Sequence, residues 1–194
     1  IGIRPGYAHF GALHLVSSKN GICFFGDTLI NRDPDEHALY DLARLAASGV
    51  RFFNRTPAMA MISYSNFGSD EEGKPAVVHR VVERMQKEYP DLAIDGEMQV
   101  NFALDRELRD EKYPFTRLKG LDVNTLIFQS LSAANAAYKI AKSMADEGEV
   151  IGPIQIGLNK PIHFTDFEAD VRDIVNVTAI AVLDATVRAN YNTT

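Results

Sequence analysis

Short apolar runs alternate along this chain with longer segments in which apolar residues recur every three to four positions. The runs indicate buried strands, and the longer segments indicate amphipathic helices that turn one face towards a core. A hairpin of two strands is predicted over 13–28, because the Asn-Gly step in Lys19-Asn20-Gly21 favours the positive φ angles of tight turns. Four further strands are predicted at 58–65, 91–98, 123–130 and 149–158.

Helical periodicity recurs between these strands. Asp33 is expected to cap the first helix, with Pro34 at its first position. The last helix is apolar on most faces from Ile174 to Val187. The predicted helices are 33–54, 74–89, 100–110, 132–144 and about 168–189. The alternation predicts an α/β fold in three layers, with a mainly parallel sheet, helices on both of its faces and a long C-terminal helix.

Composition narrows the functional classes. The 194 residues suit one large α/β domain or two small ones, and 46% of them are hydrophobic, enough for a sizeable core. A net charge of -6 argues against a nucleic-acid partner, because phosphate binding needs clustered Lys and Arg. No apolar run reaches the roughly 20 residues of a bilayer span, so no membrane partner is expected. The lone Cys23 and the lack of a secretory signal favour a cytoplasmic location, and the missing initiator Met indicates an excised piece.

Ligands of such sheets bind outside the carboxyl ends of the strands, which selects the turns at 63–69, 95–99, 129–135 and 157–163. The first turn is rich in hydroxyls and contains no Lys or Arg and no GxxxxGK[ST] pattern, which argues against nucleoside triphosphates. Its N–H groups and hydroxyls suit a phosphate such as that of pantetheine, and an ordinary polar turn is the alternative. Its candidate ligand-binding residues are Ser63, Tyr64, Ser65, Asn66, Gly68 and Ser69.

Two more turns carry candidate ligand-binding groups. Asp95 and Glu97 stand near a strand end, where paired carboxylates serve as acid and base or hold a metal, although their spacing favours a simple capped turn. Asn159 and Lys160 follow the last strand, where an ammonium would meet an anionic ligand; a surface lysine is the alternative. The five histidines are dispersed, so no metal site is predicted.

Four motifs follow one another along the chain: SYSNFGS at 63–69, DGEMQ at 95–99, GPIQIGLNKPIH at 152–163 and DIVNVTAIAVLDA at 173–185. In this order and at these intervals they resemble the phosphate acetyl/butyryl transferase family. Within that family the chain is most similar to the carboxy-terminal domain of bacterial NADP-dependent malic enzymes. The stretches that carry this finer resemblance are NFGS at 66–69, DTLINRDPDEHALYDLA at 27–43 and VRDIVNVTAIAVLDA at 171–185.

The resemblance implies a two-lobed α/β fold related to the isocitrate dehydrogenases, with acyl-coenzyme A in the cleft between the lobes. Residues 1–194 would be the second lobe and the terminal helix, without the first lobe and the malic-enzyme domain. The parent enzyme would convert malate to pyruvate and carbon dioxide with NADP and Mg²⁺ or Mn²⁺, and none of these cofactors is expected to bind this chain. The implied partners are the malic-enzyme catalytic domain of the same chain and further copies in a homo-oligomer, at least a dimer.

One departure from the family pattern concerns catalysis. Family members that transfer acyl groups carry Leu-Ser-Arg-Gly after the Pro of NKP, and its Ser and Arg are catalytic. Counted without gaps from Pro161, the Ser falls on Asp166 and the Arg on Phe167, while a family Asp is retained as the vestigial Asp173. A second family Arg falls near Met144. Losing one contact to the developing charge costs about 3–4 kcal/mol, or roughly 10²–10³ in rate.

No residue of this chain is therefore expected to be catalytic. The leading interpretation is a regulatory and oligomerising domain that binds acetyl-coenzyme A, or a related acyl-coenzyme A, as an effector. One alternative is an active phosphate acyltransferase in which Arg172 or Lys160 replaces the missing cation. A second alternative is a purely structural domain whose helices at 132–144 and 168–189 bury a subunit interface.

Overall fold

A six-stranded sheet forms the centre of the computed structural model, which describes residues 1–18, 21–144 and 149–191. Lys19 and Asn20 of the predicted hairpin turn lie outside the described residues. The strands are β1 (Gly11–Ser18), β2 (Gly21–Gly26), β3 (Ala58–Ile62), β4 (Ala93–Met98), β5 (Thr125–Phe128) and β6 (Val150–Ile156). Their order across the sheet is β4-β3-β5-β2-β1-β6.

Five of these six strands run in one direction. Parallel ladders join β2 to β5, β5 to β3 and β3 to β4, whereas β1 pairs antiparallel with both β2 and β6. Leu13 lies opposite Gly26 on β2 and opposite Ile154 on β6. The predicted mainly parallel sheet and the predicted hairpin strands are confirmed. The carboxyl ends of five strands meet at one edge of the sheet, which we call the carboxyl edge.

Helices cover both faces of the sheet. They are α1 (Glu36–Phe52), α2 (Gly73–Glu88), α3 (Val100–Leu104), α4 (Arg106–Lys112), α5 (Leu131–Met144) and α6 (Val171–Tyr191). One core lies under α1 and α2, with Leu39, Val50, Val81 and Met85 buried against the sheet. A second core on the other face contains Ala134 and Tyr138 of α5. The three-layer arrangement and the long C-terminal helix are therefore confirmed.

The first helix begins later than its sequence suggests. Asp35, not Asp33, is the N-cap of α1, and its side chain accepts the backbone N–H of Ala38 at 2.8 Å. Asp33 instead forms an ion pair with Lys74 of α2 at 2.6 Å. Both aspartates flank Pro34, so the sequence offers two plausible caps, and the tertiary pairing with Lys74 decides between them.

The predicted helix over 100–110 is two short helices. Asp105 interrupts it and caps α4, where its carboxylate accepts the backbone N–H of Leu108 at 2.9 Å. The break turns Arg109 inwards until its side chain is 0% exposed. Its guanidinium donates to the carbonyls of Ala103, Leu118 and Leu121 at 3.2, 2.9 and 2.6 Å. The hydrogen bonds of Arg109 thus connect α3 and α4 to the segment that leads into β5.

The amino end of β1 lies at the carboxyl edge, where two buried aspartates accept N–H groups of this strand and of the residues before it. Asp27, directly after β2, accepts the N–H of Ala12 at 2.9 Å. Asp41 of α1 accepts the N–H groups of Ala8 and His9 at 2.9 and 3.2 Å. The buried N–H of Ala12 requires an acceptor, which Asp27 supplies, whereas Asp41 holds the more exposed segment that leads into the sheet.

Helix α6 packs against β6, the strand at one edge of the sheet. Val177 is its one buried apolar side chain among the described residues, and Ile180 packs partly against the core. Five large apolar side chains of α6 remain exposed: Val171, Ile174, Val175, Val182 and Leu183. In the described ranges, none of the helices has the combined length and apolar character that a membrane crossing requires.

Candidate functional site

The hydroxyl-rich segment Ser63–Ser69, which we call the serine loop, leaves the carboxyl end of β3. It folds over the end of β4, and the carboxylate of Glu97 lies where the donors of the loop converge. Glu97 Oε1 accepts the hydroxyl of Ser65 at 2.8 Å and the backbone N–H of Gly68 at 2.7 Å. The other oxygen lies 3.2 Å from His79 Nδ1. The side chain of Glu97 is 0% exposed, so the loop surrounds an anion supplied by the chain itself.

Most remaining polar groups of the serine loop bond within the protein. Ser63 Oγ accepts the N–H of Ser65 at 3.4 Å, and Asn66 Oδ1 accepts the N–H of Gln99 at 2.9 Å. Ser69 Oγ lies 2.9 Å from Ser65 Oγ and accepts the N–H of Asn66 at 3.0 Å. Two loop residues, Tyr64 and Ser69, are exposed, and the Tyr64 hydroxyl donates to Asp70 at 2.6 Å. A ligand at this loop would therefore meet its outer surface.

Gly68 is required at the tip of the loop. Its φ angle is +81°, a conformation that side chains rarely adopt, and this conformation presents its N–H to Glu97. The glycine identified in the sequence thus has a specific structural role.

Asp95 and Glu97 serve different partners. Asp95 Oδ2 accepts the hydroxyl of Thr116 and the N–H of Arg117, both at 2.7 Å. Both acids lie inside β4 rather than in a turn, so the favoured interpretation of DGEMQ as a capped turn is wrong. The reason is that the buried carboxylates find partners in neighbouring segments, which lets the strand continue to Met98.

Asn159 and Lys160 lie at the far side of the same edge. Both are exposed, and the backbone N–H of Asn159 donates to the carbonyl of Gly2 at 3.0 Å. Lys160 forms no ion pair with any residue that the structure describes. Strands β5, β2 and β1 separate β3 from β6, so these residues stand about 19 Å from the serine loop at the usual strand spacing. The structure brings the loop and Glu97 together and leaves Asn159 and Lys160 apart from them.

A cavity of about 480 Å³ opens between α5, β6 and the segment before α6, and we call it the α5–β6 cavity. Asp166, Glu168 and Asp173 line it, together with Lys139 and Lys142. Lys142 lies 3.3 Å from Asp173, and Lys139 lies 3.8 Å from Glu168. Phe167 is fully exposed and does not line the cavity.

His14 forms the floor of this cavity and was not identified from the sequence. Its ring stacks on Tyr138 with 4.0 Å between the centroids, and its Nδ1 lies 2.7 Å from Thr28 Oγ1. Burial, with smaller contributions from Lys142 and Lys139, lowers the pKa of His14 to about 3, so the ring is neutral at physiological pH. The sequence signal that could have identified His14 is its position as a polar residue within the otherwise apolar strand segment LHLV at 13–16.

The charge of the α5–β6 cavity follows from these groups. Asp166 accepts the hydroxyl of Tyr138 at 3.4 Å, and burial, with this carboxylate, raises the pKa of Tyr138. With His14 neutral, three carboxylates face two ammonium groups. The cavity therefore carries net negative charge, which opposes the entry of an inorganic phosphate dianion.

Comparison with known proteins places this geometry in context. The sequence profile described as Phosphate acetyl/butaryl transferase matches residues 1–182. The chain is 36% identical over 184 residues to the NADP-dependent malic enzyme of Salmonella typhimurium, covering 95% of this chain and 24% of that enzyme. It is 37% identical over 168 residues to the phosphate acetyltransferase of Clostridium acetobutylicum, covering 86% of this chain and 50% of that enzyme.

A solved structure has the same fold. The phosphotransacetylase from Streptococcus pyogenes superposes with a TM-score of 0.88 and 31% identity, covering 96% of this chain and 56% of that one. The chain thus spans about a quarter of the length of the malic enzyme and about half of the length of the transferases.

Proposed function

The chain belongs to the phosphate acetyl/butyryl transferase family, and on that premise we propose that it is a regulatory, acyl-coenzyme A-binding and oligomerising domain of an NADP-dependent malic enzyme. In this proposal the domain no longer transfers acyl groups. The catalytic domain of the malic enzyme, with its NADP and its Mg²⁺ or Mn²⁺, belongs to another part of the same polypeptide. The proposal draws on the 36% identity to a malic enzyme of which the matched region forms 24%.

The observation that carries the proposal is the set of carboxylates in the α5–β6 cavity. The resemblance assigns a catalytic Ser to the position of Asp166 and a catalytic Arg to that of Phe167. Asp166 lines the cavity beside Asp173, and Phe167 points away from it into solvent. Transfer of an acyl group to phosphate needs a cation for the incoming dianion and a donor for the developing charge. This arrangement supplies a carboxylate instead.

Binding without turnover remains chemically reasonable. The cavity volume of about 480 Å³ suits a small organic group. Lys139 and Lys142 line the cavity but are about half exposed, so they would pair with the phosphates of an acyl-coenzyme A on their solvent side, outside the cluster of carboxylates that opposes a phosphate within the cavity. We therefore assign Lys139 and Lys142 to the ligand, in addition to the residues identified from the sequence.

Regulation requires that acetyl-coenzyme A bind two states of the malic enzyme with different affinity. The difference in binding free energy between the two states is typically about 1–3 kcal/mol. The exposed apolar side chains of α6 and the neighbouring Ile140 and Met144 of α5 give the domain a surface for the rest of the assembly. A signal from the cavity would pass through Asp173, because this residue lies on α6 and also lines the cavity.

Calorimetry on the full-length protein tests this function. Acetyl-coenzyme A should release or absorb heat on binding and change the rate of malate oxidation, while acetyl phosphate formation stays at background. The variants Lys139→Gln and Lys142→Gln should weaken binding, and Lys119→Gln, an exposed lysine outside the cavity, should not. Absence of heat and of a shift in melting temperature at millimolar ligand would reject the proposal.

The second candidate is an active phosphate acyltransferase. The two lysines that line the α5–β6 cavity favour it, because one of them, or Lys160 or Arg172, would supply the cation that the missing Arg provides elsewhere. Arg172 is engaged with Glu149 at 3.0 Å and would have to leave that carboxylate. Formation of acetyl phosphate from acetyl-coenzyme A at ordinary enzymatic rates would establish this candidate over the first.

A further inference from the structure

A second cavity lies on the opposite face of the sheet from Asp166, and we call it the α1–α6 cavity. Its volume is about 410 Å³, and the C-terminal half of α1, the end of β6 and the C-terminal half of α6 enclose it. Its apolar wall comprises Leu45, Phe52, Phe53, Ile154, Ile180 and Val187. A concave, mainly apolar space of roughly 300–1,000 Å³ is typical of small-molecule sites.

Two of the three arginines that line this cavity have no counter-charge. Arg188 is neutralised, because Asp184 accepts two hydrogen bonds from it at 2.6 and 2.8 Å. Arg4 and Arg51 make no ion pair and no side-chain hydrogen bond with any residue in the described part of the chain. Two arginines without a counter-charge, the half-buried Arg4 and the exposed Arg51, thus line one cavity of a chain whose net charge is -6.

Both arginines stand on ordered backbone. The N–H of Arg4 donates to the carbonyl of Gly157 at 2.8 Å, and the preceding Ile3 pairs with Leu158. Arg51 belongs to the last turn of α1. A cation in that turn also favours the helix dipole, but this role needs no cavity and does not apply to Arg4. The shared cavity is the feature that relates the two residues.

The wall of the cavity also holds hydrogen-bond donors without acceptors. His163 Nδ1 accepts the N–H of Gln155 at 3.1 Å, which leaves the ring proton on Nε2. Neither His163 Nε2 nor Gln155 Nε2 has a partner among the described residues, and both atoms are buried. Burial lowers the pKa of His163, in agreement with a neutral ring that donates through Nε2. The free arginines favour a ligand that brings acceptor atoms, and the two buried donors would reach such a ligand once their side chains turn towards the cavity.

We propose that the α1–α6 cavity binds an organic anion with an apolar body and a carboxylate or phosphate head. The body packs between Phe52, Phe53 and Ile180, and the head accepts hydrogen bonds from Arg4 and Arg51. Guanidinium groups are suited to such heads because their planar donors match carboxylate and phosphate oxygens. The site is separate from the α5–β6 cavity, since the two cavities share no lining residue.

The experiment uses calorimetry on the full-length protein with three probes of equal chain length: hexanoate, hexyl phosphate and uncharged hexan-1-ol. At least one anion should bind saturably and at least tenfold more tightly than hexan-1-ol, and the stronger of the two anions identifies the head group. The double variant Arg4→Gln, Arg51→Gln should weaken that anion at least tenfold. Arg55→Gln, an exposed arginine that does not line the cavity, should leave it unchanged.

Ser48→Trp provides a readout that does not depend on charge, because Ser48 lines the cavity and a large ring there would fill it. It should abolish binding of the anion while circular dichroism shows an intact fold. The inference is overturned if neither anion binds, if hexan-1-ol binds as well as the anions, or if the double variant binds like the wild type. Acetyl-coenzyme A, assigned to the other cavity, should bind the double variant normally, so each proposal fails independently.

Discussion

The backbone N–H of Gly68 donates to the carboxylate of Glu97 at 2.7 Å, and Ser65 donates its hydroxyl to the same oxygen. A loop with the donors of a phosphate cradle therefore closes on an acid from the neighbouring strand. The lack of Lys and Arg in SYSNFGS becomes understandable, because the anion inside the loop is a single carboxylate and not a phosphate dianion.

Replacing Glu97 by Gln should loosen the serine loop. The amide keeps the shape of the side chain but loses the charge that strengthens the bonds from Ser65 and Gly68, so the free energy of unfolding should fall by about 1–3 kcal/mol. Urea denaturation measures this loss. Glu83→Gln is the matched control, because Glu83 also approaches His79, at 3.8 Å, but is exposed. Equal stability of the two variants would contradict the structural role of Glu97.

The buried His14 should make the protein acid-sensitive. Its pKa is about 3 in the folded state against an ordinary value of 6.5. Below pH 6.5 the unfolded chain therefore binds a proton that the folded chain does not, and stability falls by about 1.4 kcal/mol per pH unit until about pH 3. Between pH 7.5 and 5 this amounts to about 2 kcal/mol, measurable by urea denaturation.

A pair of variants isolates the contribution of His14. His14→Gln should flatten the pH dependence by that amount, whereas His37→Gln, at an exposed histidine, should keep the full slope. The contribution of His163, whose pKa is also lowered by burial, is common to both variants. A His14→Gln variant with an unchanged slope would show that this ring is not the acid-sensitive group.

Arg109 should be among the most sensitive positions outside the apolar core. Arg109→Met removes the donors of three carbonyl groups, and the loss of stability should be about 3 kcal/mol. Arg109→Lys should recover little of it, since one ammonium cannot reproduce the planar fork. Arg106→Met removes only an exposed ion pair with Asp122, so it should lose less than about 1 kcal/mol in urea denaturation. Comparable losses at both positions would refute the proposed fastening of α3 and α4.

Restoring the Ser and Arg that acyl-transferring family members carry at positions 166 and 167 should raise the rate of acyl transfer, if their absence is the cause of inactivity. The double variant Asp166→Ser, Phe167→Arg of the full-length protein removes a carboxylate from the α5–β6 cavity and adds a guanidinium at position 167, whose long side chain must turn back towards the cavity because Phe167 is fully exposed. Acetyl phosphate formation should increase at least tenfold over the wild type, because each such contact is worth about 10²–10³ in rate. Asp166→Ala, Phe167→Ala controls for the loss of repulsion alone. Formation of acetyl phosphate by the wild type, above background and as fast as by the double variant, would refute the proposed inactivity.

Periodicity was sufficient for the order of strands and helices, since strands such as β3 and helices such as α2 have uniform local patterns. Periodicity was insufficient where a tertiary contact determines which residue caps a helix or which side chain is buried. Asp33 and Asp35 are equivalent caps until Lys74 is placed beside the first of them. The segment RELRDEK reads as a solvent-exposed helix, and no local signal marks Arg109 as buried, because its acceptors come partly from residues 118–121.

The candidate site was predictable only in part. Parallel strands place their carboxyl ends together, so the serine loop and Glu97 were correctly assigned to one edge. The strand order was needed to see that Lys160 stands far from them and that His14 forms the floor of a cavity beside Asp166. Strand order depends on long-range pairing, about which the spacing of motifs along the chain carries little information.

The reversed direction of β1 has a practical meaning for protein engineering. Where its neighbours have their carboxyl ends, this strand and the residues before it present backbone N–H groups that are paired with carboxylates outside the ladder. Asp27 and Asp41 accept these hydrogen bonds. A designer who transplants this edge onto another parallel scaffold must move the strand and its two aspartates as one unit, or the grafted strand will lack acceptors for its first amides.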